Sequence, residues 1–273
     1  MRPTPTPPRR SNSICGSSGK PDGSCVTAME ANTFSIVARC ARTGELGVAV
    51  ASAVPAVGSM CPYVRPALGA VTTQSWVNPY LASAILDAIG EGAGAEAALA
   101  AAMAADPEAH LRQVGVVDAA GGSASWTGSS CTPAHAAATG TDYAAQGNML
   151  TGAEVIAAME ASFQETADEP LGERLMRCLE AAQVAGGDMR GRQSAALLVY
   201  AGEAFARLDL RVDEDADPVA RLRQTFEIAK LQLLPFIDGM PRRERPSAFP
   251  QEVMDLLLKS PPDRPGGGGS SQP

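Results

Sequence analysis

Two short apolar runs early in the chain predict a β-hairpin. Thr33–Arg39 and Leu46–Ser52 are rich in Val, Ile and Ala, and a polar turn at residues 42–45 separates them. Residues 1–32 lack the spacing of apolar residues that a packed core needs. The pattern therefore predicts that Thr33 is the first residue of the first strand of the domain.

The rest of the chain alternates groups of predicted strands with groups of predicted helices. Strands are predicted at residues 67–75, 111–118, 123–128, 143–149, 195–200 and 204–212, and helices at 79–90, 95–105, 152–166, 170–185 and 218–234. Residues 55–66 are predicted to form a loop. This order is typical of an α+β fold with antiparallel sheets. Because the helices arrive in pairs, it favours a four-layer αββα sandwich, in which two stacked sheets lie between helical layers.

Proline, serine and glycine mark both ends of the predicted domain. We expect residues 1–32 to be a disordered tail or a propeptide, and residues 33–240 to form the folded domain. Residues 241–273 read as a Pro/Gly-rich C-terminal tail, interrupted by a short helix near 252–259. Asn78, followed by Pro79, is predicted to cap the helix at 79–90.

Composition and charge narrow the classes of partner. The net charge is −8, which argues against nucleic acid or an anionic membrane as the main partner. No apolar run approaches the roughly 20 residues of a membrane helix, and no secretory signal is evident. The six cysteines form no C-x-x-C pair, which favours free thiols in a reducing compartment. We therefore expect a cytoplasmic protein that acts on a small molecule.

The sequence contains few residues suited to histidine catalysis or metal binding. The two histidines are His110 and His135, and His110 is expected to stabilise the end of a helix. Cys131 and His135 are separated by three residues, but no second pair of ligands follows at metal-binding spacing. The chain has no phosphate-binding loop and no G-x-S-x-G motif. We expect no metal and no cofactor.

Thr33 and the polar residues near 73–78 are the first candidates for a site. A threonine that begins a chain can act as a nucleophile with its own α-amine as the base. The alternative is an ordinary residue at the start of a strand, because threonine favours strands. Thr73 and Gln74 end a predicted strand, and with Asn78 they could bind substrate. Their structural alternative is a strand end followed by a helix cap.

Gly147 and Asn148 form the second candidate. A glycine before an asparagine at a strand end can present a backbone N–H and a side-chain amide together, which are the donors of an oxyanion hole. The alternative is a plain turn, where Gly-Asn is common.

The third candidate is the glycine-rich loop at residues 186–194. It carries Asp188, Arg190, Arg192 and Gln193. Guanidinium groups match a carboxylate, so the arginines and Gln193 are expected to bind substrate while Asp188 positions the catalytic groups. The alternative is a solvated loop with internal ion pairs.

Six sequence blocks in the same order resemble the bacterial domain-of-unknown-function family numbered 1028. They lie at residues 33–39, 47–52, 69–74, 112–118, 143–148 and 186–198. That family resembles the N-terminal-nucleophile hydrolases, which have two stacked antiparallel sheets between helical layers and cleave amides. The resemblance implies that Thr33 is the nucleophile, that Gly147 and Asn148 stabilise the oxyanion, and that the protein is a homo-oligomer, as folds of this kind often are.

The residue before Thr33 differs from the family's usual start, in which the threonine follows the initiator methionine. Here Asn32 precedes Thr33, so an active enzyme requires cleavage between residues 32 and 33 or a different translation start. The implied function is hydrolysis of a small amide that bears a carboxylate. The alternative is a non-enzymatic binding or assembly protein that retains the fold.

Overall fold

The computed structural model describes residues 30–31, 33–246 and 250–258 and shows two antiparallel sheets between helical layers. The first sheet contains β1 (Glu30–Ala31), β4 (Pro62–Arg65), β5 (Gly69–Trp76), β6 (Arg112–Asp118) and β7 (Ser123–Thr127). The second has the order β11-β10-β3-β2-β9-β8, with β2 at Thr33–Arg39, β3 at Leu46–Ser52, β8 at Ala136–Gly140, β9 at Tyr143–Gly147, β10 at Ser194–Tyr200 and β11 at Leu208–Val212.

Helices cover the outer face of each sheet. The helices are α1 (Pro79–Gly90), α2 (Ala95–Ala105), α3 (Glu154–Glu165), α4 (Leu171–Val184), α5 (Pro218–Gln232), α6 (Leu234–Gly239) and α7 (Gln251–Leu258). An apolar core joins α1 and α2 to the first sheet, and a larger one joins α3, α4 and α5 to the second. The predicted four-layer αββα arrangement is therefore confirmed. Within the described ranges, no helix is long and apolar enough to cross a membrane.

The layer between the two sheets is apolar at one end and polar at the other. Around Val37 and Val48 of the second sheet, it is filled by small aliphatic side chains such as Ala70 and Val117 of the first. Near Thr33, the same layer contains buried amides and hydroxyls. Burial of polar groups is costly unless each finds a partner, so the polar end is where the interior departs from ordinary core packing.

Local signals in the sequence located most elements correctly. The hairpin of β2 and β3 has the predicted bounds, and the side chain of Asn78 accepts a hydrogen bond from the backbone N–H of Tyr80 at 3.2 Å, as expected of a helix cap. Two predictions were wrong. The predicted loop at 55–66 contains β4, and β8 was not predicted. Both strands are short, and each pairs along one side with a neighbouring strand, β4 with β5 and β8 with β9, which supplies the order that their own sequences do not signal.

Two residues of the predicted tail also pair with the domain. Glu30 and Ala31 form β1 and lie opposite Trp76 and Ser75 of β5. The other residues of the 1–32 segment, including Asn32, lie outside the described residues.

Candidate active site

Thr33 begins β2 at the polar end of the space between the sheets. It lies opposite Ser52, the last residue of β3, and its Oγ1 donates to the Oγ of Ser52 at 3.3 Å. Thr33 is fully buried and Ser52 nearly so. The predicted nucleophile is therefore held beside a second hydroxyl and is shielded from solvent.

The backbone carbonyl of Thr33 binds the residue that follows the neighbouring strand β9 and a side chain of the first sheet. It accepts hydrogen bonds from the backbone N–H of Asn148 at 3.0 Å and from Nε2 of Gln74 at 3.3 Å. Of the predicted residues, Asn148 and Gln74 are thus brought to Thr33.

Buried carboxamides connect these residues across the two sheets. Gln113 Oε1 accepts from Gln74 Nε2 at 2.8 Å and from Asn148 Nδ2 at 3.0 Å. Gln74 Oε1 accepts from Ser35 Oγ at 2.6 Å, and Ser35 Oγ accepts from Gln146 Nε2 at 2.8 Å. All five side chains are fully buried. A connected network of this kind holds its members in one arrangement, because most of its buried polar atoms are bonded to other members of the network.

The sequence pattern did not predict a role for Gln113, although this residue lies at the centre of the network. It was placed inside a predicted strand, where one polar residue among valines reads as solvent-facing. The one local feature that could have indicated a role for Gln113 is its carboxamide side chain, which stands next to a run of apolar residues. Its role depends on contacts with β5 and β9 that are distant in sequence.

Asn148, a predicted oxyanion donor, contacts Thr33 through its backbone, and both Asn148 and Gly147 have structural roles. The Asn148 backbone N–H binds the Thr33 carbonyl, and one Nδ2 hydrogen bond goes to Gln113. A carboxamide has two such hydrogens. A Cβ on Gly147 would lie 2.7 Å from Cδ2 of Leu150, so any larger residue there requires the Leu150 side chain to move.

Asp188 ties the glycine-rich loop to the end of β3. Its carboxylate accepts hydrogen bonds from the backbone N–H of Ala53 at 3.2 Å and of Arg190 at 2.8 Å, and its Oδ2 lies 3.0 Å from Nη2 of Arg190. The side chain is only 1% exposed. Because Ala53 follows Ser52, Asp188 fixes the loop next to the Thr33–Ser52 pair.

Asp188→Asn is expected to lower the free energy of unfolding by about 2 kcal/mol, because a charged acceptor of several buried hydrogen bonds is lost. Denaturant unfolding measures this change. The matched control is Asp213→Asn, which removes an exposed ion pair with Arg211 and should cost less than about 1 kcal/mol. Equal effects of the two substitutions would contradict the anchoring role of Asp188.

Arg192 and Gln193 lie at the other end of the loop. Arg192 Nη1 is 3.1 Å from Oδ1 of Asp217 in an exposed pair, and the Gln193 side chain donates to Glu214 at 2.7 Å. The Gln193 backbone N–H donates to the Ser52 carbonyl at 3.0 Å. Both predicted arginines of the loop therefore contact aspartates of the chain.

Thr73 and Asn78 organise the start of α1. Thr73 Oγ1 accepts from the backbone N–H of Asn78 at 3.3 Å, and Asn78 Nδ2 donates to Asp106 at 3.4 Å. Thr73 precedes Gln74, whose side chain donates a hydrogen bond to the Thr33 carbonyl.

The cysteines near this end of the sheets are poor nucleophiles. Burial raises the pKa of Cys61 to about 12 and also raises the pKa of Cys131 above its ordinary value. His135 is exposed. Among the described residues, no group of three or more potential metal ligands is present.

Comparison with known families gives a match over residues 33–222, to a family of unknown function, DUF1028. The chain belongs to this family. The match begins at Thr33, the residue that starts β2. No curated protein matches the chain.

A crystal structure of a DUF1028 protein, SPO2555 from Silicibacter pomeroyi, is 27% identical to this chain with a TM-score of 0.74. The alignment covers 80% of this chain and 95% of that one. Anbu (ancestral β-subunit) from Yersinia bercovieri is 10% identical with a TM-score of 0.37, over 76% of this chain and 98% of that one. Anbu from Hyphomicrobium sp. strain MC1 is 13% identical with a TM-score of 0.34, over 73% and 96%. These two scores are too low to transfer any property of Anbu to this chain.

Proposed function

We propose that this DUF1028 chain is the precursor of an amide hydrolase whose nucleophile is Thr33. The observation that carries the proposal is the environment of Thr33. Its hydroxyl lies 3.3 Å from that of Ser52, and the buried amide network fixes its carbonyl. The family match also begins at this residue.

Release of residues 1–32 is required before Thr33 can act. In the intact chain its nitrogen belongs to a peptide bond and cannot serve as a base, and its side chain is fully buried. The β1 strand, which pairs with β5 just before Thr33, belongs to the segment that must leave. Hydrolysis of the bond between residues 32 and 33, by the chain itself or by another protease, would free the α-amine.

The released amine gives Thr33 its own base. An unperturbed α-amine has a pKa near 8, so a useful fraction is neutral at cellular pH. It would take the proton of Thr33 Oγ1 as that oxygen attacks the substrate carbonyl, and then give the proton to the departing amine. Water would next hydrolyse the resulting ester and regenerate the threonine. Asn148 would donate to the oxyanion in both steps.

We assign a small amide or cyclic amide with a carboxylate as the substrate class. Ser194, Ser52 and Thr33 lie side by side on adjacent strands, so Ser194 is about 10 Å from Thr33. Arg192 lies two residues before Ser194. Its contact with Asp217 is exposed and therefore weak, so a substrate carboxylate could replace it at little cost. Arg190 is held by the buried Asp188 and is less suited to this exchange.

Arg192→Lys is expected to lower kcat/KM at least about tenfold on carboxylate-bearing amides and to leave neutral analogues unchanged, because lysine cannot form two parallel hydrogen bonds. The measurement is a panel of N-acyl amino acids and cyclic amides assayed with and without the carboxylate. Arg211→Lys, in another exposed pair on the same sheet, is the control. Full activity of both variants on every substrate would rule out the carboxylate assignment.

The hydrolase proposal itself can be tested without knowing the substrate. A β-lactone acylates a free N-terminal threonine nucleophile, and the adduct is found by mass spectrometry of peptides. We expect one adduct, on the peptide that begins at Thr33, in protein that lacks residues 1–32. A processed protein that forms no adduct and hydrolyses no amide of the panel would favour the binding or assembly alternative.

A further inference from the structure

A pocket lies at the opposite end of β2 from Thr33. It begins at Cys40, seven residues from Thr33 along an extended strand, which places it roughly 20 Å away. The cavity has a volume of about 310 Å³, at the lower end of the range for small-molecule sites. We call it the Arg174 pocket. Its walls include Cys40, Arg42, Asp142, Phe163, Ala167 and Arg174.

The guanidinium of Arg174 is buried there without an ionic partner. Arg174 is 7% exposed, donates from Nη2 to the Phe163 carbonyl at 2.9 Å, and lies 3.7 Å from the centre of the Phe163 ring. Its buried Nε has no hydrogen-bond partner. Arg174 also forms no ion pair with any carboxylate in the described ranges.

An unpaired buried cation is unusual, because removing a charge from water is costly unless an opposite charge lies beside it. Burial lowers the pKa of Arg174, which shows the cost of holding this charge away from water. One carbonyl and one aromatic face offset only part of that cost. An anion in the adjoining cavity would supply the missing partner.

The other charged residues of the pocket leave the space beside the Arg174 guanidinium open to an anion. Arg42 lies on the wall and donates to the carbonyls of Asp168 and Glu169 at 2.8 and 2.9 Å. The carboxylate of Asp142 is bound by Arg39 at 2.7 Å. Asp168 is exposed.

Cys40 is a further titratable group of the wall, besides the carboxylates of Asp142 and Asp168. Burial raises the pKa of its thiol, but hydrogen bonds from the Thr43 side chain and backbone outweigh burial, so the pKa is lowered overall. If ionised, Cys40 would compete with a ligand anion for Arg174.

We propose that the Arg174 pocket binds a small ligand through an oxyanion, either a carboxylate or a phosphate. The oxyanion contacts the Arg174 guanidinium, and a short apolar part of the ligand packs against Phe163 and Ala167. This site is independent of Thr33 and of the proposed hydrolysis.

The test is thermal unfolding of the full chain in inorganic phosphate or propionate, compared with chloride at equal ionic strength. We expect one of the two oxyanions to raise Tm by about 5 °C at a hundred times its Kd, and the comparison shows which oxyanion the pocket takes. Arg174→Met should abolish the rise, whereas Arg65→Met, at an exposed pair with Asp87 on the other sheet, should retain it. Calorimetric titration should show at least tenfold weaker binding to Arg174→Met.

Ala167→Phe provides a second variant in case Arg174→Met does not fold. It fills the pocket from an exposed position and leaves Arg174 in place, so it should also abolish the rise in Tm. The proposal fails if neither oxyanion raises Tm of the unmodified chain, which is the result expected if Cys40 thiolate or the Phe163 ring already satisfies Arg174. It also fails if Ala167→Phe keeps the full rise.

Discussion

Thr33→Val is expected to reduce kcat of the processed protein at least about a thousandfold, with little change in Tm. Valine keeps the shape of a fully buried threonine and removes only the hydroxyl that would attack the substrate. Thr33→Ser should retain measurable activity, because the hydroxyl remains. The assay uses whichever amide of the substrate panel is hydrolysed fastest, with protein produced to begin at residue 33.

Thr166→Val is the matched control for this substitution. It removes a hydroxyl that donates to the Ser162 carbonyl at 2.7 Å in the α3 region and should leave kcat unchanged. If Thr33→Val retained full activity on the panel, Thr33 would be an ordinary strand residue and the proposed mechanism would be wrong.

Asn148→Ala is expected to have the second largest effect, a fall in kcat of about a hundredfold or more, as for loss of one oxyanion donor. The free energy of unfolding should fall by only about 1 kcal/mol. Gln113 Oε1 would keep its hydrogen bond from Gln74 at 2.8 Å, and the backbone N–H that binds Thr33 remains in alanine. Steady-state kinetics and denaturant unfolding, done on the same preparation, separate the two effects.

Gln164→Ala, which removes an exposed amide next to Tyr143, is the control for loss of a carboxamide. A large loss of stability in Asn148→Ala together with an unchanged kcat would identify Asn148 as a structural member of the network only.

The parts of the fold that local sequence determines were the parts that could be predicted. The hairpin of β2 and β3 follows from two apolar runs and a polar turn, and α1 begins where Asn78 and Pro79 predict. By contrast, β4 and β8 are ordered by pairing with β5 and β9. The strand at Glu30–Ala31 lies in a segment whose composition resembles a tail, and it too depends on its partner.

The candidate site shows the same division. Thr33, Gln74 and Asn148 were identified from their places at strand ends, and the structure brings them together. Gln113 was not identified, because its importance arises from bonds to β5 and β9 that no local pattern records. The ion pair of Arg192 with Asp217 likewise joins residues 25 positions apart in the chain, so it could not be inferred from the loop alone.

The most direct test of the proposed hydrolase is the N-terminus of the active protein isolated from its native host, determined by intact mass and N-terminal peptide analysis. The proposed mechanism requires that the active species begin at Thr33, with residues 1–32 absent. An active protein that retains Asn32 would have no free α-amine on Thr33, and would contradict the mechanism.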